Sequence, residues 1–258
     1  MNCDGMVVLI TGSVSGIGKA TAKRLIACGG RPVVHGPDAE PAEATCAELG
    51  AAGWVAGDLA DPDVPARLVA STVAQCGRID GLVNNAADTG RSTLESATVA
   101  QFDHQIAVNV RAPFLLIQAA APHMEAQGGG RVVNIGSVNA WCGERNLFSY
   151  AVSKGALLTL TRNLGDALGA RGIRVNQINP GWVLTENEVR IKRGEGLPED
   201  WPSRLPIDTA PSGALIDPDE IASTACFLLS DRAPRISGTI LDYEQYPVIG
   251  RNPPKTTV

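Results

Sequence analysis

Three residues near the middle of the chain could move a proton to or from a substrate oxygen. Tyr150 and Lys154 are four positions apart, so a helix would place them on one face. An ammonium about 4 Å from a phenol, at an effective dielectric of about 20, favours the phenolate by roughly 4 kcal/mol, or about 3 pKa units. The phenol could then exchange protons near neutral pH. Ser137 follows an apolar strand upstream and could hydrogen-bond a substrate oxygen.

An isolated Tyr-x-x-x-Lys has a simpler explanation. A tyrosine and a lysine on the solvent-facing side of an amphipathic helix produce the same pattern without any chemistry. The rest of the chain must therefore decide between a proton-transfer site and a solvated helix face.

The elements that would position these residues alternate between strands and helices. Short, nearly uninterrupted apolar runs predict strands near 6–11, 31–35, 53–57, 79–84, 131–137, 173–179 and 238–243. Helical patterns lie near 16–28, 40–49, 62–76, 98–126, 150–170 and 218–230. Such alternation predicts an α/β fold with a parallel sheet covered by helices on both faces, and no linker separates a second domain.

Composition excludes several functional classes. The 258 residues are 44% hydrophobic, enough for one large core, and the net charge of −5 with no basic block argues against nucleic acid. The apolar run at 7–10 is too short for a signal peptide or a membrane span. Six scattered cysteines without a C-x-x-C pair favour neither a metal site nor disulfides. We therefore expect a cytoplasmic protein with reduced thiols.

A glycine-rich turn links the first predicted strand to the first helix. Gly12, Gly16 and Gly18 stand in the stretch TGSVSGIG, where glycine permits a tight turn and the helix N-terminus would point at a phosphate. The spacing G-x-x-x-G-x-G differs from the general G-x-G-x-x-G fingerprint. A glycine turn without a ligand is the alternative.

Taken in order, these motifs resemble the short-chain dehydrogenase/reductase family over nearly the whole chain. The matching elements are TGSVSGIG at 11–18, Asp58, NNAA at 84–87, Asn109, Ser137, YAVSK at 150–154, and Pro180-Gly181 with Thr185. The resemblance implies a single doubly wound, Rossmann-type domain over 1–258 with a seven-stranded parallel sheet. It implies hydride transfer between NAD(P) and a secondary alcohol or carbonyl. It also implies catalytic roles for Asn109, Ser137, Tyr150 and Lys154.

The resemblance also assigns residues to the nucleotide. Asp58 would bond the adenine and Thr185 the nicotinamide carboxamide, although Asp58 could equally cap the following helix. The full set of expected cofactor-binding residues is Gly12, Ser15, Ile17, Gly18, Asp38, Asp58, Leu59, Asn85, Ala86, Tyr150, Lys154, Pro180, Gly181, Val183 and Thr185.

The sequence departs from the family pattern at two places. Ala87 replaces a usual glycine, which would cost about 1 kcal/mol if that position needed a positive φ. The polar, proline-rich segment 244–258 replaces the usual glycine pair after the last strand. It is either a frayed terminus or a tail that reaches a neighbouring subunit.

The end of the second strand bears on the choice of cofactor. An acidic residue there favours NAD and an arginine favours NADP, but this chain has His35, Gly36, Pro37 and then Asp38. Asp38 could reach the ribose, and a protonated His35 could contribute to binding a 2′-phosphate. We expect NAD, with NADP not excluded.

Residues expected at the substrate are polar. Ser137, Asn139, Arg145, Trp182 and Arg91 would line the pocket, and the long segment 185–216, rich in glycine and proline, would cover it as a mobile lid. Tryptophan faces and guanidinium groups suit a sugar, polyol or sugar acid, although the same charges could simply solvate a loop.

Three functions follow from these expectations. The first is a sugar, polyol or sugar-acid dehydrogenase, the second an NADPH-dependent 3-ketoacyl-type carbonyl reductase, and the third a non-catalytic NAD-binding module. The four catalytic residues are all present, which disfavours the third. The resemblance further implies a homo-dimer or homo-tetramer.

Overall fold

The computed structural model describes residues 2–248, in which seven parallel strands form one sheet. Its order is β3-β2-β1-β4-β5-β6-β7. The strands are β1 (Val7–Ile10), β2 (Arg31–Gly36), β3 (Gly53–Ala56), β4 (Gly81–Asn84), β5 (Gly130–Ile135), β6 (Ile173–Pro180) and β7 (Ile240–Tyr243).

Helices connect the strands. They are α1 (Gly16–Ala27), α2 (Ala39–Leu49), α3 (Val64–Cys76), α4 (Val99–Ile106), α5 (Ala112–Ala126), α6 (Phe148–Ala167), α7 (Glu186–Gly194) and α8 (Pro218–Leu229). Short 3₁₀ turns lie at Val138–Ala140, Gly169–Arg171 and Trp201–Arg204.

Helices cover both faces of the sheet, so its strands carry apolar side chains on both faces. Val7 and Leu9 pack into a core with α3 and α5, whereas Val8 and Ile10 pack into a second core with α1 and α8. All four side chains are fully buried. Burial of an aliphatic side chain of this size contributes about 1.5–3 kcal/mol. The two-residue period of the strand thus divides one apolar run between two cores.

Within residues 2–248 the sequence correctly predicted all seven strands and seven of the eight helices, two of them merged into one, and missed α7. The single helix expected over 98–126 is α4 and α5 joined by a π-helical turn at Ala107–Arg111. The segment 185–216 contains α7 and a 3₁₀ turn rather than irregular chain. Glycine and proline obscured α7, although Thr185 caps its first turn and acidic residues follow.

The strand order places the expected site. The order reverses between β1 and β4, which open a crevice at the carboxyl ends of the strands, where open α/β sheets bind their ligands. The turn after β1, the end of β5 and the start of α6 all lie at this edge.

None of the helices in residues 2–248 combines the length and apolar character needed to cross a bilayer. The six cysteines all lie in this part of the chain and are free thiols. Ala87 adopts no positive φ, so its replacement of glycine carries no backbone strain. Of the tail, only 244–248 lie within the described residues.

Gly165 provides a test of the packing of α6 against the turn that precedes β7. A Cβ at Gly165 would come within 2.6 Å of the backbone of Gly238. We expect Gly165→Ala to lower the free energy of unfolding by about 1–3 kcal/mol, measured by urea denaturation. Gly169→Ala is the control, because nothing lies within 4 Å of its added Cβ. Equal stability of the two variants would contradict this close approach.

Candidate active site

The turn between β1 and α1 is shaped by glycines that no other residue could replace. Gly12 and Gly16 have φ of 61° and 53°. A Cβ at Gly12 would lie 2.9 Å from the Ala86 backbone, and one at Gly18 would lie 2.3 Å from the Gly12 carbonyl oxygen. The turn therefore carries its backbone close to whatever fills the crevice.

The N-terminus of α1 faces the same crevice. Ser15 is its N-cap, but the side chain makes no capping hydrogen bond. Backbone N–H groups of the first turn, including those of Ile17 and Gly18, thus have no intrahelical acceptor and carry the positive end of the helix dipole. This donor set fits the pyrophosphate of a dinucleotide.

Two side chains hold the glycine turn from below. Asn85 donates through Nδ2 to the carbonyls of Thr11 (2.9 Å) and Gly12 (3.0 Å). Ala86 donates its N–H to the hydroxyl of Thr11. His35 accepts the Gly12 N–H at Nδ1 (3.1 Å), and its Nε2–H donates to the Gly57 carbonyl at 3.1 Å.

His35 has a different role from the expected one. It is 2% exposed, both ring nitrogens are occupied by backbone groups, and burial lowers its pKa to about 4. The expectation that a protonated His35 could contribute to binding a 2′-phosphate is therefore wrong. The ring is neutral and ties the glycine turn to the ends of β2 and β3. A histidine in an otherwise apolar strand was the only signal for this role.

The expected adenine end of the crevice is partly open. Asp38 is exposed and caps α2 without a side-chain hydrogen bond. Asp58 accepts the Ala60 N–H (2.9 Å) in a local turn. Because α3 is preceded by Asp63, the alternative of Asp58 as its cap is wrong. Leu59 is 5% exposed and packs into the core, so only its backbone is left for a ligand.

The opposite wall begins where β6 ends at Pro180. A Cβ at Gly181 would collide with the Glu244 carboxylate at 1.9 Å. Val183 pairs with Ile216 in an isolated bridge. Thr185 caps α7, and its Cγ2 would lie 3.4 Å from a Cβ on Gly16. The wall and the glycine turn thus face each other across a narrow crevice.

The structure brings Ser137, Tyr150 and Lys154 together at the end of β5. Lys154 is 2% exposed, and its Nζ donates to the Ile135 carbonyl (2.8 Å) and lies 5.5 Å from the centroid of the Tyr150 ring. The Ser137 side chain lies close enough to the Tyr150 phenol to lower its pKa. The solvated-face alternative is wrong for this pair, because Lys154 is buried.

The phenol of Tyr150 titrates differently from our expectation. Burial raises its pKa to about 12; the hydrogen bond from Ser137 opposes this rise and the nearby Glu144 carboxylate adds to it. The expected lowering by Lys154 is wrong for the protein alone. Its ammonium is directed at the Ile135 carbonyl, and burial lowers its own pKa to about 8.

Asn109 lies in the π-helical turn between α4 and α5. Its Nδ2 donates to the Asp88 carbonyl and to the Ser153 hydroxyl, both at 2.9 Å, and its Oδ1 accepts the Asp88 N–H at 2.8 Å. Both amide hydrogens are therefore used within the protein. Asn109 joins the segment after β4 to α6 one position before Lys154.

The five expected substrate residues form two pairs and one separate residue, Arg145. Ser137 and Asn139 lie together, since the Asn139 N–H donates to the Ser137 hydroxyl at 3.1 Å. Arg145 is exposed on the loop between β5 and α6. Arg91 and Trp182 instead contact Glu188 of α7.

Glu188 of α7 binds both Trp182 and Arg91, and these contacts were not predicted from the sequence. Its carboxylate accepts from Trp182 Nε1 (2.9 Å) and lies 4.0 Å from Arg91 Nη2. Arg91 also pairs with Glu195 at 3.3 Å, and Trp182 stacks on Trp201 with centroids 5.4 Å apart. Arg91 is thus already neutralised, which weakens the expectation that it binds an acidic substrate.

A reversal of strand order, a glycine turn at a helix N-terminus, and a tyrosine beside a buried lysine together define a dinucleotide-dependent oxidoreductase. Comparison with known proteins agrees. The family model described as enoyl-(acyl carrier protein) reductase matches residues 12–244. The chain belongs to the short-chain dehydrogenase/reductase family and is an NAD(P)-dependent oxidoreductase.

Relatives match over nearly the full chain. A (2S)-[(R)-hydroxy(phenyl)methyl]succinyl-CoA dehydrogenase subunit from Thauera aromatica is 38% identical, covering 93% of this chain and 96% of the relative. D-threitol dehydrogenase from Mycolicibacterium smegmatis is 36% identical, covering 92% and 91%. A solved 3-ketoacyl-(acyl carrier protein) reductase from Brucella melitensis, complexed with NADH, has a TM-score of 0.83 and 30% identity, covering 93% and 97%.

The role of His35 predicts a pH dependence of stability. The folded pKa of about 4 lies below the ordinary 6.5, so protons bind the unfolded chain first as the pH falls. His35 therefore reduces the free energy of unfolding by up to about 3 kcal/mol between pH 6.5 and 4. We expect His35→Gln to flatten this decline in urea titrations. The exposed control His123→Gln should keep it; an unchanged decline in His35→Gln would contradict the assignment.

Proposed function

We propose that this protein is a dehydrogenase that oxidises a secondary alcohol of a polyol or sugar with NAD. The observation that supports this most strongly is the convergence of Ser137, Tyr150 and Lys154 at the end of β5, beside the glycine turn and facing Thr185. A phenol, a hydroxyl and an ammonium in that place are the groups that proton exchange with a carbinol requires.

Each residue has a distinct role in this proposal. The nicotinamide ring supplies a hydride acceptor when bound. Ser137 holds the substrate oxygen, and Tyr150 takes the hydroxyl proton in oxidation and returns it in carbonyl reduction. Lys154 holds the nicotinamide ribose. Asn109 fixes the backbone of Asp88 and orients α6 through Ser153.

NAD is the cofactor that the end of β2 supports better. With His35 neutral and buried, no basic side chain stands at Gly36, Pro37 or Ser15 to pair with a 2′-phosphate. Asp38 is exposed and uncommitted at the same end of the crevice, where a carboxylate binds ribose hydroxyls and repels phosphate. The NADH complex of the Brucella melitensis reductase is consistent with this choice.

The pocket favours a hydroxylated, uncharged substrate. On the loop after Ser137, Glu144 accepts a hydrogen bond from Asn139 at 3.5 Å. Asn146 reaches Glu144 and Arg91 when its amide takes the orientation that satisfies both of its ends, and Arg91 is also paired with Glu195. The similarity to D-threitol dehydrogenase supports a polyol. A 3-ketoacyl-type reductase is the second candidate, because a solved neighbour has that name. A panel of D-threitol, D-galactose, D-gluconate and an acetoacetyl thioester, read at 340 nm, separates these functions.

We also propose that the protein forms a homo-dimer or homo-tetramer in the cytoplasm through its long helices. Phe114 on α5 is 39% exposed and Val152 on α6 is 44% exposed. A groove of about 200 Å³ between these helices is lined by Phe114, Ile117, Pro122 and Leu164, among others. Light scattering coupled to gel filtration would measure the assembly.

Tyr150→Phe tests the proton role. The variant keeps the ring and its packing but removes the exchangeable proton, so we expect turnover of the best panel substrate to fall about 10³-fold or more. NADH affinity, measured by fluorescence titration, should change less than about threefold. Near wild-type turnover in Tyr150→Phe would refute the assignment.

Asp38 tests the choice of cofactor. We expect kcat/KM to be higher with NAD than with NADP by about tenfold or more. Asp38→Asn should reduce this ratio by weakening NAD binding and relieving repulsion of the 2′-phosphate. Glu40→Gln, on the exposed first turn of α2, is the matched control. A wild-type preference for NADP would overturn the NAD assignment.

A further inference from the structure

A chain of polar side chains crosses the sheet beneath the catalytic residues; all its members are buried except the last, Asp242, which is exposed. Asn134 donates to Thr161 at 2.8 Å, and Thr161 Oγ1 lies 2.8 Å from Gln177 Oε1. Gln177 Nε2 donates to Asn179 Oδ1 (2.7 Å), and Asn179 Nδ2 donates to Asp242 Oδ1 at 2.8 Å. A buried polar group destabilises the fold unless it is paired, so each of the four buried members of this chain depends on its neighbours for a partner.

Asn179 is the junction of this chain with the catalytic segment. It is fully buried, and its Oδ1 accepts the backbone N–H of Ser137 at 3.2 Å. Its partner Asp242 also accepts the indole N–H of Trp141 at 2.8 Å. The Asn179 carboxamide therefore holds the backbone at Ser137, and the Asp242 carboxylate holds Trp141 farther along the same loop.

Gly136 makes this arrangement possible. A Cβ at this position would lie 2.1 Å from Asn179 Oδ1 and 2.3 Å from Gln177 Nε2. The two carboxamides thus occupy the space that a side chain next to Ser137 would need. Gly136 has no positive φ, so steric room rather than backbone conformation explains the glycine.

We propose that Asn179 is a positioning residue that holds Ser137 in hydrogen-bond reach of Tyr150 and, through Asp242, fixes the Trp141 side of the substrate loop. The proposal rests on the roles proposed above for Ser137 and Tyr150. Asn179 reaches no substrate itself. It acts by fixing the main chain of Ser137, whose hydroxyl already accepts the Asn139 N–H and contacts Tyr150.

The pKa of Tyr150 distinguishes this positioning role from a purely structural one. The hydrogen bond from Ser137 lowers the pKa of the phenol against the rise that burial causes. Displacing Ser137 weakens that bond and raises the pKa of Tyr150. The pH at which alcohol oxidation reaches half its maximal rate must then move upward. A loss of stability alone would not move it.

Asn179→Ala, measured against Asn176→Ala, is the central experiment. Asn176 is also buried on β6, but bonds Ile236 and Thr239, far from Ser137. With the best panel substrate, we expect Asn179→Ala to lower kcat about 10- to 100-fold and to shift the pH profile upward. Asn176→Ala should lose stability without either change. If the two variants have the same kcat and pH profile, Asn179 is only structural and the proposal fails.

Variants of Asp242 and Trp141 keep the test decisive if Asn179→Ala does not fold. Asp242→Asn preserves an oxygen for both donors and should keep kcat within about threefold, whereas Asp242→Ala should reproduce the upward pH shift. Trp141→Phe should raise the substrate KM with kcat nearly unchanged. Equal pH profiles for Asp242→Ala and Asp242→Asn would overturn the proposal.

Ser137→Ala separates this inference from the proposed function. If Ser137→Ala keeps wild-type turnover, the active-site assignment itself is wrong. If Ser137→Ala is impaired while Asn179→Ala behaves like Asn176→Ala, the active site stands and only the role of Asn179 is lost.

Discussion

The burial of the Lys154 ammonium is the constraint on which the site depends. A cation removed from water is costly unless it is hydrogen-bonded, and here the carbonyl of Ile135 at the end of β5 accepts it. This contact fixes the start of α6 against the sheet, so the rotation of the helix places Tyr150 over the same strand end. The position of the catalytic pair thus depends on one hydrogen bond to the backbone, and burial shifts the pKa of both groups.

The remaining parts of the site are held by close backbone packing and by neutral polar groups. The glycine turn is fixed by Asn85 and by a neutral His35, and among residues 2–248 no charged side chain hydrogen-bonds the backbone of Gly12. Neutral donors and acceptors support the turn without competing for the negative charge of a pyrophosphate above it. The crevice therefore keeps the positive end of α1 for its ligand.

Much of this could be predicted from the sequence, for identifiable reasons. The run at β1 is apolar throughout, as a strand covered on both faces requires, and the Tyr-Lys spacing follows directly from helical geometry. The π-helical turn at Asn109 was not predictable, because hydrophobic periodicity does not report one extra residue in a turn. The contacts of His35, Glu188 and Asn179 were missed for another reason. Each depends on residues distant in the chain, and local patterns carry no information about such pairs.

The packing of Gly136 against Asn179 also restricts how this sequence can diverge. A side chain at 136 has no room while the carboxamide is present. A smaller residue at 179 leaves the Ser137 N–H without its acceptor and removes a donor to Asp242, which keeps the Trp141 indole. Either change alone is therefore deleterious, and only a coordinated replacement reaches a different arrangement. We therefore expect substitutions at positions 136 and 179 to be coupled, so that related sequences keep both residues or replace both.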